Sequence, residues 1–188
     1  MEHCEELAKF ARILEDKRLV TALEGNASIC DRQTGLTYVT PSRRMKALLT
    51  PEMICVMDRE GNQIGGSCRR SSEYLLHEAV YRAKPEVRAV VHSHCPFLTA
   101  YAIRYQDFTV PDDCSLHEVF QRFVCLPWGK GGTHEIHRGI EDALQNSPIC
   151  LLGGHGVVCV SDTMEDCIGL LEAAEGFAKT LFLARHVV

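Results

Sequence analysis

Ala89-Val90-Val91-His92-Ser93-His94-Cys95-Pro96 is the stretch that decides how this chain folds. Its apolar opening reads as a buried strand. Strand side chains alternate between faces, so His92 and His94 leave the C-terminal end on the same side. Neutral imidazole is the commonest metal ligand in proteins, and a same-face pair supplies two of the three protein ligands of an open catalytic site. Such pairs also occur as structural or merely exposed side chains, so a third ligand is what gives the motif weight. Leu151-Leu152-Gly153-Gly154-His155-Gly156 offers His155, with glycines on both sides that let a turn hold the ring at a fixed angle.

The totals limit what can surround these histidines. The chain has 188 residues, 46% of them hydrophobic and 24% charged, which is the balance of one globular domain over residues 1–188 with a core of its own. A formal charge of −5 and the lack of a basic stripe argue against a nucleic-acid partner. No run reaches the ~18 apolar residues of a membrane helix. Ten cysteines stand at positions 4, 30, 55, 68, 95, 114, 125, 150, 159 and 167. None forms a Cys-X-X-Cys pair, no secretory leader opens the chain, and most sit in apolar runs such as Ile54-Cys55-Val56. They read as small buried hydrophobes in a reduced cytoplasm.

Working outward, residues 3–19 space Leu7, Phe10, Ala11 and Leu14 as an amphipathic helix. Glu24-Gly25-Asn26-Ala27-Ser28-Ile29 is a polar turn running into a strand, either an anion nest or an ordinary Asx turn. Asp31 to Gly35 turn the chain into Leu36-Thr37-Tyr38-Val39. Thr40-Pro41-Ser42 then starts a short helix to about Leu49, with Ser42 as N-cap and Lys46 inside it, and its free N–H groups suit an anion. Met53 to Met57 form a strand that hairpins at Glu60-Gly61-Asn62.

Ser71-Ser72-Glu73 opens a helix to about Ala83 with Leu75, Leu76, Ala79, Val80 and Tyr81 as its buried stripe. His77 and Glu78 read as surface or satisfied side chains. A helix follows Cys95-Pro96 to about Arg104, and residues 105–131 lack periodicity apart from a strand at Phe123 to Leu126. Thr133-His134-Glu135-Ile136-His137 has metal-like residues but reads better as the start of a helix. Strands at Ile149-Cys150-Leu151-Leu152 and Val157-Val158-Cys159-Val160 flank His155, and a helix covers 163–186.

Taken together, Gly25-Asn26-X-Ser28, Thr40-Pro41-Ser42 with Lys46, Ser71-Ser72-Glu73-X3-His77, Ala89-Val90-Val91-His92-X-His94 and Gly153-X-His155-Gly156 resemble the class II aldolase/adducin family, the sugar-phosphate aldolases and epimerases. The resemblance spans residues 25 to 156 in the family's order and spacing. It implies a three-layer α-β-α domain with a central, mainly antiparallel sheet, assembled as a homotetramer with active sites between subunits. It further implies a divalent metal, zinc in most members with Mn2+, Co2+ or Fe2+ as alternatives, on His92, His94 and His155. Glu73 matches the acid/base beside the metal. Asn26, Thr40, Ser42, Ser71 and Ser72 match the pocket for the substrate phosphate. The implied activity is carbon–carbon cleavage of a short sugar phosphate or related keto acid through a metal-stabilised enediolate. Decarboxylation, epimerisation and dehydration use the same metal site, and an adducin-like assembly module without catalysis is the non-enzymatic alternative.

The chain departs from the family in places. Arg43 stands where glycine usually follows Thr-Pro-Ser, and Cys30 where an arginine is common. A bulky cation at the anion pocket can strengthen phosphate binding, redirect it toward a carboxylate, or block it. The family's aldolases use a tyrosine downstream of the second metal histidine and another in a C-terminal tail. Here the first region reads Pro111-Asp112-Asp113-Cys114, and no tail tyrosine precedes Val188. No catalytic role is carried onto Asp113, His117 or Glu118.

Overall fold

The computed structural model describes residues 1–185, apart from the side chains of Ser115 and Leu116. The first helix is α1 (Glu2–Asp16), followed by strands β1 (Asn26–Cys30), β2 (Thr37–Val39), β3 (Cys55–Met57) and β4 (Gln63–Gly65). Then come α2 (Tyr74–Ala83), β5 (Ala89–Ser93), α3 (Pro96–Ile103) and the short strands β6 (Phe108–Thr109), β7 (Arg122–Phe123) and β8 (Cys125–Leu126). The chain continues through α4 (Ile140–Ala143), β9 (Ile149–Leu152), β10 (Gly156–Ser161) and α5 (Met164–Ala184).

Eight strands form one sheet in the order β4-β3-β2-β1-β5-β10-β9-β8, and only the β8–β9 pair is parallel. β5 therefore lies in the middle, antiparallel to β1 on one side and β10 on the other. Alternation sorts the side chains of these central strands. Ala27, Ile29, Ala89, Val91, Val157 and Cys159 join one apolar cluster with Leu7 and Leu14 of α1, Leu98 of α3 and Leu171 of α5. Cys30, Val90, Val158 and Val160 join a second with Leu76 and Val80 of α2 and Ile140 of α4. Helices thus cover both faces of a mainly antiparallel sheet. Each fully buried Leu or Val of these clusters contributes roughly 1.5–3 kcal/mol, so burial fixes which face the strands present.

Asn26, Ser28 and His92 belong to the second face by the same alternation and are buried there. A buried polar group without a partner costs several kcal/mol in an apolar setting, so α2 must answer them with polar side chains. It does so with His77 and Tyr81. His77 is a fully buried, satisfied side chain rather than a surface one.

Several boundaries differ from the sequence reading. The segment after Ser42 is a turn and a three-residue 3-10 helix, Lys46–Leu48, not a helix capped by Ser42. Arg43 takes a left-handed φ of 53°, which ends any helix at its first residue, and the Ser42 N–H donates to Arg69 O at 2.9 Å. Met53 belongs to a second 3-10 turn, Pro51–Met53. The α2 N-cap is Glu73 without a side-chain cap, Ser71 Oγ instead accepting the Glu73 N–H at 3.2 Å. The helix expected from residue 133 is only Ile140–Ala143, because Gly139 is left-handed (φ 87°) just before it. Residue 186, the last of the expected C-terminal helix, lies outside the described residues. All ten cysteines are free thiols, and burial pushes Cys55 up to about 12.

Candidate active site

His92 is the last core-facing residue of β5, and its ring is fully buried. Its Nδ1–H donates to Val157 O on β10 at 3.0 Å, which fixes the tautomer and leaves the Nε2 lone pair free. His94 lies just past the strand on the same side. Behind both, Ser93 turns to the opposite face, where its hydroxyl holds Leu19 O and accepts Cys95 N–H at 3.0 Å, so the strand end cannot rotate.

His155 arrives from the β9–β10 turn. Gly154 N–H is held by Ala102 O at 2.9 Å and Gly153 N–H by Leu126 O at 3.0 Å, which anchors the turn to α3 and β8. Gly154 has a left-handed φ of 69°, and a Cβ there would stand 2.7 Å from the Tyr105 hydroxyl and 3.0 Å from Trp128. A Cβ on Gly156 would come within 2.7 Å of the His94 ring and 2.5 Å of Ser93 O. The two glycines thus let the turn sit against its neighbours and bring the third ring inward.

The three rings converge on one another. His92 Nε2 is 3.0 Å from His94 Nε2, His94 Nε2 is 3.3 Å from His155 Nε2, and His155 Nε2 is 3.1 Å from His92 Nε2. Ligands about 2.0–2.1 Å from a tetrahedral zinc stand about 3.3–3.4 Å apart, so this triangle is close to what one small divalent ion needs. Among the described residues, these histidines form the group able to hold a metal ion. Burial and the neighbouring imidazoles lower His92 to about 4, and His94 is lowered by the same causes. Neutral rings are the form that binds metal.

Glu73, at the start of α2, closes the group. Its Oε1 lies 2.9 Å from His155 Nε2 and its Oε2 3.2 Å from His92 Nε2. Asn26 Nδ2 donates to Oε2 at 2.8 Å. Burial pushes the Glu73 carboxyl up, but His92, His155 and the Asn26 hydrogen bond outweigh it and hold it well below the usual carboxylate range. It is therefore an ionised carboxylate with both oxygens placed.

Behind Glu73 runs a buried chain of hydrogen bonds. Because Asn26 gives its amide N–H to Glu73, its Oδ1 accepts, and the partner is the Nε2–H of His77. His77 is neutral, lowered to about 3 by burial and by nearby His92, so its Nδ1 accepts from the Ser28 hydroxyl at 2.7 Å. Ser28 has then used its proton, so Tyr81 O–H must donate to Ser28 Oγ at 2.7 Å. Every proton in the series Tyr81, Ser28, His77, Asn26 points toward Glu73. Sequence reasoning did not find Ser28 and Tyr81 as partners of His77. The signal was two polar residues, Asn26 and Ser28, at alternate positions of one strand, with a histidine and a tyrosine four apart on a helix.

A cleft of about 180 Å³ opens beside this group, lined by Gly25, Asn26, Ser42, Arg43, Ser71, Ser72, Glu73 and His94 among others. Four of the five residues matched to a phosphate pocket therefore meet there. Thr40 stands behind the cleft, its buried Oγ1 accepting Ala27 N–H at 3.1 Å and tying β1 to the end of β2. Lys46 is also buried, donates to Glu24 O at 3.1 Å, and is lowered to about 8 by burial. Gly131 approaches from the other side, where a Cβ would be 3.2 Å from Glu73 Oε1. Asp113 is exposed and does not line this cleft.

The central antiparallel sheet, three converging histidines and a glutamate on the covering helix define the class of protein. The sequence profile of "Class II Aldolase and Adducin N-terminal domain" matches residues 5–182, and the chain belongs to that family. It is 30% identical over 174 residues to the 5-methylthioribulose-1-phosphate/5-deoxyribulose-1-phosphate aldolase of Escherichia coli O45:K1, covering 88% of this chain and 81% of that protein. An L-fuculose 1-phosphate aldolase structure superposes with a TM-score of 0.91 at 25% identity, covering 98% of this chain and 87% of that one. The 3-oxo-tetronate 4-phosphate decarboxylase of Haemophilus influenzae is 28% identical over 155 residues, 77% of this chain and 70% of that protein. Among the described residues no helix is long and apolar enough to cross a membrane.

Proposed function

We propose that this protein is a divalent-metal-dependent carbon–carbon lyase that cleaves a short sugar phosphate beside its carbonyl group. The observation that carries the reading is the His92–His94–His155 triangle with Glu73 against two of its members. These three histidines hold the ion, for which zinc is the leading choice, since an all-imidazole set of three with an open position suits it. When bound, the ion supplies Lewis acidity to charge developing on a substrate carbonyl oxygen.

The chain's own residues do the rest. The Glu73 carboxylate takes up and returns the proton at the reacting centre, with Asn26 and His77 fixing its orientation. Ser42, Ser71, Ser72 and Asn26 orient the phosphate in the adjoining cleft. Remote binding of this kind is what brings the scissile bond to Glu73 in a reactive pose. A homotetramer with active sites at subunit interfaces completes the reading, in a reduced cytoplasm that suits ten free thiols.

A second reading has its own observation. Position 113 is an exposed aspartate rather than a tyrosine able to protonate an aldehyde fragment. Decarboxylation of a 3-keto acid phosphate releases no aldehyde and needs no such acid, in keeping with the similarity to the Haemophilus protein.

The test is to measure the metal content of protein purified without added metal or a histidine tag, beside His94→Ala. The loaded protein is then screened for aldehyde release from ketose 1-phosphates and CO2 release from 3-keto acid phosphates. About one ion per chain, absent from the variant, with turnover in either screen supports the lyase. Protein that neither holds nor can be loaded with metal sinks it.

A further inference from the structure

The cleft beside Glu73 combines hydroxyls with two carboxylates and one exposed cation. Two carboxylates, Glu24 and Glu73, line it together with Asn26, Ser42, Ser71, Ser72 and His94. A phosphate monoester dianion entering that surface meets acidic side chains on two sides. One residue in the lining carries a permanent positive charge, and it is Arg43.

Arg43 has two further properties. Its backbone is left-handed at φ 53°, a conformation that disfavours every residue with a Cβ and suits glycine. Its side chain is exposed, and its guanidinium has no hydrogen-bond or ion-pair partner among the described residues, so it is free to meet a ligand. The left-handed backbone counts against stability, and strain of this kind is common where a residue serves a ligand.

We propose that Arg43 is the specificity-determining residue of this cleft. Its guanidinium offers a two-pronged contact to the phosphate of the substrate and offsets Glu24 and Glu73, so that phosphorylated substrates are selected over neutral sugars. This rests on the lyase reading of the site and names the residue that sets its substrate class. The geometry of the fork and the charge of a dianion favour phosphate over a single carboxylate.

The experiment titrates inorganic phosphate calorimetrically into the protein as purified and into Arg43→Gly, Arg43→Lys and Arg43→Gln. Each titration is repeated in a His155→Ala background to separate phosphate in the cleft from phosphate on a metal. Glycine fits φ 53°, so Arg43→Gly folds, and its Tm is expected to rise by about 2–4 °C. Phosphate affinity is expected to fall at least tenfold in Arg43→Gly and Arg43→Gln and less in Arg43→Lys, in both backgrounds. In turnover, kcat/KM for a sugar phosphate is expected to fall at least tenfold in Arg43→Gly and Arg43→Gln and less in Arg43→Lys. Phosphate binding that is unchanged or tighter in Arg43→Gly overturns the proposal, as does absence of phosphate binding by the parent protein. Neither result touches the lyase reading, which stands or falls on metal content and carbon–carbon cleavage.

Discussion

Asn26 and His92 are direct cross-strand partners on β1 and β5, and both reach the same oxygen of Glu73. Asn26 Nδ2 approaches Oε2 at 2.8 Å and His92 Nε2 at 3.2 Å, so strand register sets how the base meets the imidazole group. A slip of one residue in either strand would send that strand's side chain to the opposite face. The sheet thus specifies the site as strictly as it specifies the core.

The first consequence concerns the metal. His155→Ala is expected to stay folded and to lose the ion, and chelation is expected to lower the Tm of the parent protein but not of the variant. Ligand binding to the folded state alone adds about 4 kcal/mol at a thousandfold excess over Kd. Elemental analysis with paired thermal melts checks this. A variant that keeps a full equivalent of ion removes His155 from the ligand set.

Glu73→Gln separates holding the metal from moving the proton. The amide is isosteric but cannot take up a proton, so kcat is expected to fall by about 10²–10⁴-fold while the bound ion is retained. Steady-state kinetics on metal-quantified protein gives the answer, and full activity in this variant would remove Glu73 from its role.

The buried His77 predicts a pH effect on stability. Its folded pKa of about 3 lies below the ordinary histidine value, so between these values the unfolded chain binds the extra proton. The stability it contributes is complete above about pH 6.5 and is lost as pH falls through the folded value, at up to about 1.4 kcal/mol per pH unit. His92, lowered to about 4, adds in the same direction. In chelated protein, urea unfolding from pH 7 to 5 should show this slope, and His77→Gln should reduce it by about one proton. An unchanged slope would mean that His77 takes up its proton in the folded state.

Gly154→Ala tests the turn that delivers His155. A Cβ would face the Tyr105 hydroxyl at 2.7 Å on a backbone already at φ 69°. The expected cost is about 1–2 kcal/mol in stability. A tenfold or larger loss of metal affinity should accompany it. Competition with a chromophoric chelator measures the second quantity. Normal affinity would show that the turn carries no precision of its own.

Much of this site is legible in the sequence because its signals are local. Two-residue alternation places His92 and His94 together, and the glycines around His155 announce a turn in which backbone, not side chain, approaches its neighbours. The segment after Ser42 is not legible in this way, since helix spacing and a capping serine describe a helix that Arg43 ends with a left-handed residue. The Tyr81–Ser28–His77 chain is hidden for another reason. Each member satisfies a partner on a different element, so no window of sequence contains both halves of a bond. The burial of Asn26 and Ser28 among the apolar residues of β1 is the trace it leaves.

The interlocked rings also bear on how the protein reaches its working state. His92 and His155 are 63 positions apart, and Glu73 and His155 are 82. They meet only when β1, β5 and β10 have aligned, which requires closing long loops before any ligand contact can reward it. A partly folded chain therefore presents His92 and His94 without His155 or Glu73 beside them. An ion that needs all three histidines would be captured late, once the sheet is finished.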